Sequence, residues 1–132
     1  MKPLIYLAGP YTYPDPVTNT RKAVLFAGEL VRRGFIPIIP HLSLLWHIIS
    51  PKPRTYDFWM DIDLEYLRRC DALYRLSGKS KGADKEVEFA LRNGIPVFFK
   101  MTDLEEWKNE TFDDNFGYRC AGCDCSANPK VL

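Results

Sequence analysis

The chain has 132 residues, a length that suits one compact domain with a single core. At 46% hydrophobic and 27% charged it has the composition of an ordinary globular protein, and a net charge of +1 argues against a nucleic-acid groove or an anionic-membrane surface. No apolar run approaches the roughly 20 residues that span a bilayer, and the apolar part of "MKPLIYLAGPYTYPDP" is too short for a secretory signal, so a cytoplasmic protein is expected.

In chain order, "PLIYLAG" is a continuous apolar run ending in Gly9, the pattern of a buried parallel strand. "YTYPDPVTNT" reads as a loop, with Pro14, Asp15 and Pro16 as turn residues. Over residues 18–33, Ala23, Val24, Ala27, Leu30 and Val31 recur at helical spacing, and Gly34 stops that helix. "FIPIIP" predicts a second strand, placed at a sheet edge by Pro37. "HLSLLWHII" predicts a short helix, residues 55–70 a longer one, and "DALYRL" a third strand. A Ser/Gly/Lys loop, a helix over 83–93 and a fourth strand in "IPVFF" follow, with at most a short helix and an edge strand beyond residue 102.

Strands alternating with helices predict a Rossmann-like or flavodoxin-like three-layer α/β sandwich with a mostly parallel sheet of four to five strands. Residues 1–105 would form this domain. Residues 106–132 would be a C-terminal extension, part of the same domain or a loose tail. In open α/β sheets ligands bind beyond the carboxyl ends of the strands. "AGPYT", "PHLSLLWH" and "SGKSKGADKE" are expected to converge there.

Two acids stand out. In "YDFWMDIDLEYLRRC", Trp59, Ile62, Tyr66, Leu67 and Cys70 share one helix face, and Asp63 lies within that stripe while Asp61 and Glu65 point away. Asp63 is either a helix-edge acid paired with an arginine, or an acid whose pKa is raised by partial burial for proton transfer. In the helix over 83–93, Val87, Ala90 and Leu91 define the core stripe and Glu86 flanks it. A first-turn position would keep Glu86 ionised through the helix dipole, as a nucleophile or as a simple helix-start acid. Glu88 and Arg92 are spaced as a surface i,i+4 pair. "SGKSKGADKE" matches neither the P-loop nor the dinucleotide spacing, although Ser80 and the backbone at Gly82 could hold one phosphate.

"IYLAGPY" at 5–11, "FWMDIDLEYLRRCDAL" at 58–73, "SKGADKEVEFA" at 80–90 and "GIPVFF" at 94–99 together resemble the nucleoside 2-deoxyribosyltransferase-like superfamily. Its members include deoxyribosyltransferases, nucleoside-monophosphate N-glycosidases and small phage and bacterial relatives. The resemblance implies cleavage or transfer of an N-glycosidic bond on a nucleoside or nucleoside 5′-monophosphate. Glu86 would be the nucleophile, Asp63 would assist proton transfer or hold the sugar, and Tyr6 would hydrogen-bond the nucleophile. Ser80 would contact the 5′-phosphate, and Gly9, Pro10 and Tyr11 would form the loop after the first strand. Hydrolysis is favoured over transfer, because "NFGYRCAGCDC" offers no match to the carboxyl-terminal Asn or Asp that the transferases use. No cofactor is implied. The expected partners are a small nucleoside or nucleotide and further copies of the chain, as a homodimer or higher oligomer, with neither nucleic acid nor membrane. Arg75, in a strand that is apolar in the small relatives, keeps open a second reading, a non-catalytic module that binds or senses a nucleotide derivative.

Four further features remain. His41, directly after the second strand, is placed to line the pocket, whereas His47 beside Trp46 reads as structural. Arg21, near the start of the first helix, would either meet a phosphate or sit on the surface. Cys120, Cys123 and Cys125 form C-x-x-C-x-C, a spacing that suits zinc or an iron–sulfur centre given a fourth ligand such as Cys70, His41 or a neighbouring chain. Free thiols are the favoured reading, and no metal is expected.

Overall fold

The computed structural model describes residues 1–112. Four strands, β1 (Leu4–Ala8), β2 (Ile36–Ile38), β3 (Ala72–Arg75) and β4 (Val97–Phe98), form one parallel sheet in the order β2-β1-β3-β4. Helices α1 (Pro16–Arg32), α2 (Ser43–Ile49), α3 (Tyr56–Arg68), α4 (Lys81–Arg92) and α5 (Met101–Thr111) surround it, and a 3-10 turn over Pro40–Leu42 leads into α2.

Alternation along the strands divides the core into two layers. Ile5, Leu7, Ala72 and Tyr74 face one side, where they meet Ala27 and Leu30 of α1 and Leu104 of α5. Tyr6, Ala8 and Leu73 face the other, against Leu67 of α3 and Ala83 and Ala90 of α4. This is the three-layer α/β sandwich expected from the sequence, with four strands. Pro37 lies in the edge strand β2, where a missing N–H does not interrupt the sheet.

Several boundaries differ from expectation for local reasons. The first helix begins at Pro16 rather than 18, because Asp15 is its N-cap, accepting from the Thr18 N–H at 2.8 Å, and Pro16 takes the first helical position. Val24 and Val31 are exposed; the buried face of α1 is Asn19, Ala23, Ala27 and Leu30. Tyr66 and Leu91 are also exposed, so the buried stripes of α3 and α4 are narrower than their apolar periodicity suggests. The fourth strand pairs over two residues only. Among the described residues, no helix is long and apolar enough to cross a membrane. Cys120, Cys123 and Cys125 lie outside the described residues.

The strand order locates the site. β1 is followed in sequence by its neighbour on one side, β2, and is flanked on the other by β3, so the loops leaving β1 and β3 diverge at the carboxyl edge. That divergence opens the crevice in which α/β sheets bind ligands.

Candidate active site

A cavity of about 890 Å³ opens in this crevice, lined by the three segments expected to converge there: residues 9–13 after β1, 40–47 after β2, and 79–86 after β3. The stretch from Arg54 to Asp63, leading into and through the first half of α3, closes the remaining side.

Two acids mark its inner end, Glu86 buried and Asp63 half-buried. Glu86 is 6% exposed, and its Oε1 accepts a hydrogen bond from the Tyr6 hydroxyl at 2.6 Å. Burial pushes the Glu86 carboxyl up to about 8, and the nearby Asp63 adds to the rise. The Tyr6 bond and the Arg75 charge oppose it without cancelling it. Asp63 is pushed up to about 7, again by burial. Desolvation and the two carboxylates raise the Tyr6 phenol well above its ordinary value, so it stays a hydrogen-bond donor.

The expectation that Glu86 is held ionised by the helix dipole is therefore corrected. Ser80 caps α4, its Oγ accepting from the Ala83 N–H at 3.2 Å, so the helix starts at Lys81 and Glu86 falls in the second turn. The dipole field fades within the first turn, and desolvation dominates at this depth.

The loop after β1 is held by packing and by buried polar groups. Gly9 lies so close to β3 that a Cβ there would meet Leu76 Cβ at 3.0 Å. Gly78, at φ +117°, abuts Pro10, and a Cβ there would stand 2.7 Å from Pro10 Cγ. The buried Asn19 donates its amide to the carbonyls of Tyr11 and Tyr13, both at 2.8 Å. His41, also buried, donates Nε2–H to the Pro10 carbonyl at 2.9 Å, which leaves Nδ1 as the unprotonated nitrogen. Desolvation lowers the His41 pKa, which keeps the ring neutral.

Tyr6 and Glu86 are thus joined directly. Asp63, Gly9, Pro10, Tyr11, His41, Ser80 and Gly82 line the same cavity. Arg21 does not join them. With α1 starting at Pro16, Arg21 sits in its second turn, exposed and outside the lining. Arg75 faces α4 rather than the cavity. Its guanidinium binds the carbonyls of Leu76 and Gly78 and pairs with Asp84 at 3.1 Å, bracing the loop before α4. Glu88 and Arg92 form the expected surface pair at 3.7 Å.

Other lining residues were not singled out from the sequence. His47, read as structural, is exposed at the cavity wall with its ring edge against Trp59. Trp59, placed with the core stripe, lines the cavity instead, beside Tyr56 and Met60. Arg54, Lys79, Lys81 and Lys85 add four cations. The lysines had a signal in the sequence, three of them within seven residues around a predicted helix start. Asn19 had none, because a lone Asn in a helix reads as surface. Cys70 is a buried free thiol, pushed up to about 12 by burial and donating to the Tyr66 carbonyl, which makes it unreactive. Among the described residues, no cluster of three metal-ligating side chains occurs.

No protein of curated function matches the chain. Among solved structures, the chain is similar to a 2-deoxyribosyltransferase from the psychrotolerant bacterium Bacillus psychrosaccharolyticus. The two share 18% identity and a TM-score of 0.56, over 85% of this chain and 93% of that one. The likeness establishes a shared fold, the one expected from the sequence resemblance. The family profile described as Domain of unknown function (DUF7768) matches residues 3–100, and by that match the chain belongs to this family.

Proposed function

We propose that the protein cleaves the N-glycosidic bond of a nucleoside or nucleoside 5′-monophosphate through a covalent glycosyl-Glu86 ester, with water favoured over a second base as the acceptor. The observation that carries this reading is the buried Tyr6–Glu86 hydrogen bond at 2.6 Å, at the inner end of a cavity that Asp63 also lines. The likeness in fold to a 2-deoxyribosyltransferase supports the reaction class.

In the first step a Glu86 oxygen forms a bond to C1′ while the C1′–N bond breaks. The departing base takes its electron pair, and Asp63 supplies the proton. The transition state has oxocarbenium character, and the adjacent carboxylate stabilises the charge developing at C1′. In the second step water attacks C1′ and gives a proton to Asp63, releasing the sugar and restoring Glu86. Tyr6 orients the carboxylate throughout. Ser80 keeps its hydroxyl proton free for a phosphate oxygen while its oxygen caps α4.

The productive protonation state has Glu86 ionised and Asp63 protonated. With Glu86 at about 8 and Asp63 at about 7, that state is a minority form, most populated between the two values. Base release followed chromatographically across a nucleotide panel tests the assignment. Glu86→Ala should abolish release, and undiminished release sinks it.

The same elevation of Glu86 favours a second reading, a module that binds a nucleotide derivative through a neutral carboxyl without turnover. Calorimetric binding with no base released after long incubation separates this from the enzyme. Self-association is also proposed: α2 leaves Leu45, Ile48 and Ile49 exposed next to the cavity, and light scattering measures the assembly mass.

A further inference from the structure

We infer that the ligand of this cavity is a nucleotide carrying two or more phosphates, gripped by Arg54, Lys79, Lys81 and Lys85. The inference rests on the preceding reading for the nucleoside end and departs from it in the phosphate count.

The charge lining the cavity is lopsided in a chain whose net charge is only +1. Its four cations face two acids, Asp63 and Glu86, and burial raises the pKa of both, which lessens their negative charge near neutral pH. A phosphate monoester carries about −1.5 to −2 near neutral pH. Four cations exceed what one such group can neutralise, and each further phosphate brings more negative charge.

The cavity cations are not neutralised by described carboxylates: among the described residues, none of the four sits in an ion pair. Their positions add to the imbalance. Lys81 occupies the first position of α4 and Lys85 lies one turn on, so two like charges are stacked at i,i+4. Lys81 also sits in the first turn, where the backbone dipole already disfavours a cation, and Lys79 stands just before it. An arrangement that destabilises the empty helix is relieved by a polyanion.

Aromatic rings hold two of these cations in place. Lys85 Nζ stands 5.1 Å from the centre of the Tyr56 ring, and Arg54 Cζ stands 4.9 Å from that of Phe58. The cations come from two separate segments, residue 54 ahead of α3 and residues 79–85 around the start of α4, so a chain of phosphates could be held from both. The volume of about 890 Å³ is near the upper end of the roughly 300–1,000 Å³ typical of small-ligand sites, which leaves space beyond a nucleoside.

The test is calorimetry on the full chain carrying Glu86→Gln, titrated with the 5′-mono-, di- and triphosphates of each common ribo- and deoxyribonucleoside. For the preferred base, affinity should rise at least tenfold from mono- to diphosphate. Inorganic tripolyphosphate should compete, and Lys79→Ala/Lys81→Ala should erase the difference between mono- and diphosphate. Equal or tighter binding of the monophosphate, an unchanged ratio in the double variant, or no nucleotide binding overturns the inference. Tighter binding of a 5′-phosphorylated oligonucleotide than of any triphosphate also overturns it. A base-release assay on the unaltered chain separates the two readings. Release from the monophosphate with no polyphosphate preference removes the inference alone, and polyphosphate preference without release removes the glycosidase reading alone.

Discussion

The Tyr6 hydroxyl donates to Glu86 Oε1 at 2.6 Å, linking the middle of β1 to the second turn of α4 across 80 residues of chain. Both side chains are buried, so the bond acts in a low-dielectric setting where it sets the orientation and the proton affinity of the carboxyl. Removing it changes both.

Tyr6→Phe should therefore shift the pH profile in a defined direction. The Tyr6 bond lowers the Glu86 pKa, so its loss raises that pKa further; because Glu86 already lies above Asp63, the alkaline limb of the rate profile moves to higher pH and the maximum rate falls. The variant should also lose about 1–3 kcal/mol of stability, the cost of an unsatisfied buried acceptor. Rates measured from pH 5 to 10 together with denaturant melts check both effects.

Asp63→Asn should discriminate between leaving groups. An amide cannot protonate a departing base, so release from ordinary nucleotides should fall about 10²- to 10⁴-fold. A substrate whose base is already cationic, such as an N7-methylated guanine nucleotide, needs no such proton and should be largely spared. Equal losses on both substrates would contradict the role given to Asp63.

Glu86→Gln should stabilise the fold in a pH-dependent way. Glu86 holds its proton more tightly folded than unfolded, its pKa rising from 4.5 to about 8. Its contribution is fully present below about 4.5 and is lost as pH rises through about 8. Gln keeps an acceptor for Tyr6 and never ionises. The variant should match the wild type near pH 4 and exceed it by on the order of 5 kcal/mol at pH 9. Thermal melts across that range measure the gap, and a gain that does not grow with pH would contradict the buried ionisation.

Gly78→Ala should loosen the site from outside the chemistry. Gly78 sits at φ +117°, and an added Cβ would meet Pro10 Cγ at 2.7 Å. Strain and overlap together should cost about 1–3 kcal/mol and push the loop after β1 away from its position. Substrate affinity should fall with stability, read by calorimetry beside a denaturant melt.

The order of elements, the parallel sheet, the edge position of Pro37 and the convergence of three loops were legible in the sequence. Each follows from a local rule: apolar runs, helical periodicity, turn residues, and ligand sites at strand carboxyl ends. Asp63 was legible as well, because a carboxylate within an apolar stripe is a local anomaly. The tertiary structure decided what depends on distance and dielectric. It seated Tyr6 against Glu86, and its burial of Glu86 outweighed the helix dipole that would have ionised the side chain. It turned Arg75 away from the cavity to brace the loop before α4, buried Asn19 beneath the β1 loop, and gathered Arg54 with three lysines around one cavity. Periodicity reports which face a side chain occupies, whereas its proton affinity and its partners are set by groups brought near through folding.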